Sequence, residues 1–283
     1  MFAALTDRTW LWFAASFYSA GLLMGTYLLL RGGKQTNTRI NVFIALGYVC
    51  QLIGLYARGR TVGGCPVGNT FEIFQFTAWS AITLYFVVGV TFRLSLLGYF
   101  TSCLAAVLTL VSLAIPAWDV THRTKIFGGN PWIELHASLA LFSYGVFGLL
   151  ALTAFMLVLR TYSLKSKHLG GWFSFLPSML DLDHISVRLL TTGVVMMTAS
   201  LAGGAAYWVR DPSSVNVIKL LFTIGVWAAY TVTLTLRLRA QLLAKRFAWT
   251  CLVLFGIALI SLGPVDASRH PPAPAAEILV TPR

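Results

Sequence analysis

Charge is what this chain has least of. Of its 283 residues 57% are hydrophobic and only 11% charged, and the mean hydropathy is +0.76. So few charges cannot cover a water-soluble surface, which excludes a soluble domain and leaves a polytopic membrane protein. Acidic side chains are the scarcer kind, nine against twenty-one basic ones. The basic residues are scattered over short connections instead of forming one stripe, so the net charge of +12 reads as topology and contact with anionic lipid; nucleic acid is not expected as a partner. Cysteine is scarce too. Cys50, Cys65, Cys103 and Cys251 show no CxxC spacing, and three lie in apolar runs where a thiol behaves as a small hydrophobe, which argues against a thiol-redox carrier. No basic stretch precedes the first apolar run, so that run is expected to be a span and not a cleavable signal.

What is abundant is apolar sequence in pieces long enough to cross about 30 Å of hydrocarbon. Eight spans are expected: Leu11–Leu30, Ile40–Tyr56, Phe71–Phe92, Leu94–Ile115, Ile133–Leu159, Ile185–Trp208, Val217–Leu236 and Phe247–Leu262. They lack the alternation of a barrel, and backbone groups in lipid need partners within their own segment, so the fold class is all-α, a bundle of about eight transmembrane helices.

With the first residue outside, the inner connections hold eleven Lys and Arg against nine outside, and the dense clusters around Arg31, Lys165 and Arg239 all fall inside. This places both termini on the outer face. Residues 1–270 read as a single membrane domain, and 271–283, PPAPAAEILVTPR, as a Pro-rich disordered outer tail. Between spans five and six, an aromatic and leucine-rich stretch around Trp172 suits a helix lying in the headgroup plane.

The candidate site residues sit at the outer ends. His136, one turn into span five, shares a helix face with Trp132 four residues before it; Ser143 and Tyr144 continue that face inward. His270 follows span eight. Two neutral imidazoles at one depth suit axial ligation of haem iron, whereas zinc would want three or four ligands and finds only His122 in addition. Glu72, two residues into span three, either caps its helix or lines an outer cavity. Trp10, Trp118, Trp132 and Trp208 form an interfacial belt, with porphyrin contact as the other reading. On the inner side Asp183 is expected to cap span six, and Arg188 to snorkel or pair with an acid; His168 and His184 are read as structural. No span centre carries an ionisable group, so a small-solute transporter is disfavoured.

Three stretches resemble a known family. PVGNTFEIFQFTAWS from Pro66 is similar to a P-x-[ST]-N-x-Y-E span start, with Phe71 in place of Tyr. PWIELHASLALFSYGVFGLLAL from Pro131 is similar to an outer histidine segment, through His136, Ser138, Ser143 and Tyr144. LDHISVRLLTTGVVMMTASLAGGAAYW from Leu182 is similar to L-D-x-x-S-x-R-x-x-x-x-G, through Asp183, Ser186, Arg188 and Gly193. Their order resembles the haem-handling membrane proteins of cytochrome c maturation, the CcsA/CcmC/CcmF superfamily, and within it the shorter HemX-like and YpjD-like members.

The resemblance implies a multi-pass protein of the bacterial inner membrane acting in c-type cytochrome biogenesis. It implies haem b held through His136 and His270, with Trp132, Trp208 and Glu72 in the binding site and Arg58, Arg60 or Arg210 toward the propionates. A ResB-like membrane partner and apocytochrome c are the implied partners, and no independent enzyme activity is expected. Two departures bear on this. The W-G-x-x-W-x-W-D loop of CcsA proteins is reduced here to Tyr207-Trp208-Val209-Arg210-Asp211-Pro212, and a family histidine near the inner end of the next span is replaced by Thr235. Both favour the alternative that HemX-like members imply, a membrane regulator of haem-biosynthetic enzyme levels that does not transfer haem.

Overall fold

The structure, a computed structural model, describes residues 6–30, 37–92, 97–120, 131–166, 176–208 and 217–267. Eight α-helices run through them: α1 (Asp7–Leu30), α2 (Asn37–Val62), α3 (Thr70–Phe92), α4 (Leu97–Ala114), α5 (Pro131–Lys165), α6 (Met179–Trp208), α7 (Val217–Leu238) and α8 (Ala244–Ala267). One short 3₁₀ turn, Pro116–Asp119, follows α4. No strand occurs among the described residues. The all-helical class and the number of helices agree with the sequence. Among the described residues five helices, α2, α4, α5, α6 and α7, are long and apolar enough to cross a membrane by length and composition.

The helices alternate in direction. α1 lies between α2 and α4, α3 joins α4 to α5, and α5 packs against α6 and α8, with α7 closing on both of those. The end that carries the starts of α1, α3, α5 and α7 is called the upper end below.

Several helices outrun their apolar segments. α5 has 35 residues and α6 has 30, because backbone hydrogen bonding continues past the point where side chains turn polar. Their ends have identifiable locks. Gly63, at φ 69°, lets α2 close with the Gly64 N–H donating to the Gly59 carbonyl at 3.1 Å. At the start of α3 the Glu72 N–H donates to Asn69 Oδ1 at 2.8 Å, so the cap is Asn69. At the start of α6 the Asp181 N–H donates to Ser178 Oγ at 3.1 Å while that hydroxyl donates to Asp181 Oδ2 at 2.6 Å. Asp183, expected in that role, sits a turn inside the helix and does something else.

Helix association in lipid depends on close backbones and interhelical hydrogen bonds more than on hydrophobic burial. Gly145 of α5 lies against Ser80 and Ala81 of α3, so close that a Cβ there would stand 2.8 Å from Ser80 Cβ and 2.9 Å from the Ala81 nitrogen. A buried amide chain ties the first four helices together. The Tyr18 hydroxyl donates to Gln51 Oε1 at 2.8 Å, Gln51 Nε2 to Gln75 Oε1 at 2.9 Å, and Gln75 Nε2 to Ser112 Oγ at 2.9 Å.

Candidate functional site

The upper end holds two neighbouring arrangements. The first is an ionic clasp. Arg58, near the end of α2 and 5% exposed, donates through Nε to Glu72 Oε1 at 2.8 Å and through Nη1 to Asp7 Oδ2 at 2.7 Å, and also pairs through Nη2 with Asp119. Arg8 reaches Asp119 Oδ2 at 3.2 Å. The second Glu72 oxygen accepts the Gly68 N–H at 2.6 Å. Both guanidinium groups lie by the Phe71 ring, 5.6 Å for Arg8 and 5.5 Å for Arg58 from its centre.

Three acids and two arginines therefore join α1, α2, α3 and the 3₁₀ turn. Arg58, expected to face a propionate, is turned to carboxylates, and an incoming anion would meet a group whose formal charge is already negative. Arg60 lies on an exposed face, with Nη1 3.4 Å from the Tyr56 hydroxyl.

The second arrangement surrounds His136. Its Nδ1 lies 2.5 Å from the Ser200 carbonyl oxygen and 3.0 Å from Ser200 Oγ, and that hydroxyl donates to the His136 carbonyl at 2.8 Å. A carbonyl can only accept, so Nδ1 carries a hydrogen. In the neutral ring the lone pair is then on Nε2. The ring rests on Gly204 of α6, where a Cβ would stand 2.7 Å from Cε1 and 3.2 Å from Nε2. A histidine whose Nδ1–H is held by a backbone carbonyl has the outer-shell support typical of metal-ligating imidazoles. The donor chemistry thus fits an axial haem ligand. Among the described residues no three His, Cys, Asp or Glu side chains gather where they could hold a metal ion.

The two arrangements touch through the α2–α3 connection. Cys65 Sγ lies 3.3 Å from Ser138 Oγ on α5, and Glu134 of α5 packs on Gly64. Burial pushes the Cys65 thiol up, the Ser138 hydrogen bond opposes this, and Glu134 and Glu72 add to the rise.

Trp132, one turn before His136, is 77% exposed. Trp208 ends α6, the helix that carries Ser200 and Gly204. His270, His122, His168 and Arg210 lie outside the described residues, as do the headgroup-plane stretch around Trp172 and the Pro-rich tail. Sequence reasoning missed Ser200, Gly204 and the Arg58 clasp. The Gly203-Gly204 pair inside a helix was the available signal for a close approach on α6.

At the opposite end Asp183 pairs with Arg237 of α7, whose Nη1 also donates to the Leu242 carbonyl at 2.5 Å and whose guanidinium lies 5.2 Å from the Phe247 ring centre. Thr235 turns its hydroxyl to the Val232 carbonyl of its own helix at 2.8 Å.

Comparison with known proteins bears on both ends. Residues 67–264 match the family described as cytochrome C assembly protein. The chain belongs to this family. Similar curated proteins include Protein HemX of Brevibacillus brevis, 23% identical over 94% of the chain and 99% of its own length. Inner membrane protein YpjD of Escherichia coli strain K12 is 25% identical over 82% of the chain and 86% of its length. Cytochrome c biogenesis protein CcsA of Microcystis aeruginosa is 24% identical over 87% of the chain and 90% of its length. The cytochrome c assembly match covers α3 to α7 and most of α8, and so takes in Glu72, Asp119, His136, Asp183, Ser200 and Arg237.

Proposed function

We propose that this member of the cytochrome c assembly family is a haem-handling protein of c-type cytochrome biogenesis in a bacterial inner membrane, its upper end and both termini facing outward. The observation that carries the reading is His136, whose Nδ1–H is bound to the Ser200 carbonyl so that Nε2 is the ligating atom. His270 would be the second residue to hold the haem, Trp132 and Trp208 would border it, and Glu72 would contribute by holding Arg58 and the start of α3. Arg60 and Arg210 remain for the propionates. Bound haem b would supply an iron centre, to which the imidazoles of His136 and His270 would be the protein's donors.

The protein's own part is to hold and orient, not to form bonds. Thioether formation on apocytochrome c then belongs to a larger complex with a ResB-like partner. A titration of the purified protein with haem tests this: a Soret band is expected that His136→Ala abolishes, and an unchanged band in that variant overturns it.

A second reading, a membrane regulator of haem-biosynthetic enzyme levels, is favoured by the shortened Trp loop and by Thr235. Deleting the gene separates the two. Loss of covalent c-type cytochromes supports assembly; altered tetrapyrrole levels with normal cytochromes support regulation.

A further inference from the structure

We propose that Ser200 and Gly204 are positioning residues for His136, forming a seat on α6 that sets both the tautomer and the plane of its ring. The inference rests on the ligand reading of His136 above, and it assigns roles to two residues on a different helix, 64 and 68 positions further along the chain.

The argument is geometric. Ser200 is 2% exposed and makes a two-way exchange with His136, its carbonyl accepting Nδ1–H at 2.5 Å and its hydroxyl donating to the His136 carbonyl at 2.8 Å. A hydroxyl hydrogen spent on that carbonyl leaves Oγ facing Nδ1 at 3.0 Å as an acceptor, so the same N–H is shared between two oxygens of one residue. This excludes the Nε2–H tautomer, which would set a bare nitrogen lone pair against a carbonyl oxygen.

Gly204, one turn on, supplies the floor. A methyl group there would stand 2.7 Å from Cε1, 3.1 Å from Nδ1 and 3.2 Å from Nε2, touching every atom on one edge of the imidazole. Gly203 beside it is looser, its Cβ position 3.9 Å from His136 Cβ. The tight fit thus belongs to the ring and not to the backbone. A ligand held this way loses little rotamer freedom on binding, and hydrogen bonding at Nδ1 raises its basicity toward a metal.

The test uses full-length protein in detergent, with haem as the titrant and ¹⁵N spectra of the histidine ring as a readout that needs no haem. The apoprotein is expected to show His136 as the Nδ1–H tautomer. Gly204→Ala is expected to weaken haem binding about ten- to a hundredfold and to displace the Soret maximum; Ser200→Ala, which keeps the backbone carbonyl that accepts Nδ1–H and loses only the hydroxyl, is expected to weaken it about tenfold. Ser200→Thr, which keeps the hydroxyl, is expected to stay near the parent. Should Gly204→Ala fail to fold, the Ser200 pair of variants still decides.

An Nε2–H signal for His136 overturns the seat. So does parental haem affinity and spectrum in Ser200→Ala when His136→Ala has lost binding, a result that leaves the ligand reading standing. Haem binding unaffected by His136→Ala removes the ligand reading and the inference with it.

Discussion

Arg58 is a charged side chain near the end of a membrane helix, and its three carboxylate partners come from α1, α3 and the 3₁₀ turn. Removing the cation leaves Asp7, Glu72 and Asp119 close together without the guanidinium that pairs with all three. Arg58→Ala is therefore expected to destabilise by about 3–5 kcal/mol, read as thermal unfolding in detergent. Unchanged unfolding in that variant would show the clasp to be idle. Cys65 gives a second residue-scale expectation. Because burial raises its thiol above the usual range, alkylation should be slow near neutral pH and quicken only above the ordinary thiol pKa. The associated stability is present in full below the unfolded-state pKa and is lost as pH rises through the folded one. Labelling at graded pH, with Cys50, Cys103 and Cys251 replaced, checks the rate. His136 and Glu72 stood out in the sequence because polar groups near span ends are rare. Arg58 did not. It follows an apolar run in RGRTVGG and reads as loop charge, since acids 51, 14 and 61 positions away leave no periodic trace.

At the scale of the helix, backbone contact and termination dominate. Gly145→Ala drives a methyl into the α3 backbone and is expected to cost about 1–3 kcal/mol, whereas Gly256→Ala, with nothing within 4 Å of its Cβ position, should be neutral or mildly stabilising. The pair is read together in one unfolding series; equal effects would mean that the α3–α5 crossing tolerates separation. α7 ends on Ala240 at φ 55°, a conformation that a Cβ disfavours, with the Gln241 N–H closing on the Leu236 carbonyl at 3.0 Å. Ala240→Gly should stabilise by about 1 kcal/mol, and a lower melting temperature would contradict it. The helices themselves were legible because lipid demands both length and apolarity. Their ends were less so. Hydropathy marks where side chains become polar, while the cap is chosen by short side chains such as Asn69 and Ser178, which carry no hydropathy signal.

Across the molecule, ionic locks close both ends, Arg58 with its acids above and Asp183–Arg237 below. If the upper end faces outward, a membrane-impermeant reagent should label Thr61→Cys in intact cells and label Arg239→Cys only after lysis; the reverse pattern inverts the topology. The direction was argued in the sequence from eleven inner against nine outer basic residues, a margin that does not shrink within the fold, since Arg8 and Arg58 of the outer set pair with acids there and so does Arg237 of the inner set. The upper clasp also has a history during synthesis. Its members leave the ribosome in the order Asp7, Arg8, Arg58, Glu72, Asp119, so the running formal charge goes from minus one to nought, up to plus one, back to nought and then to minus one. Asp119 follows Arg58 by 61 residues, roughly three to twelve seconds at ordinary elongation rates. Through that interval Glu72 already balances Arg58, so α2 can settle in the bilayer before the last acid exists.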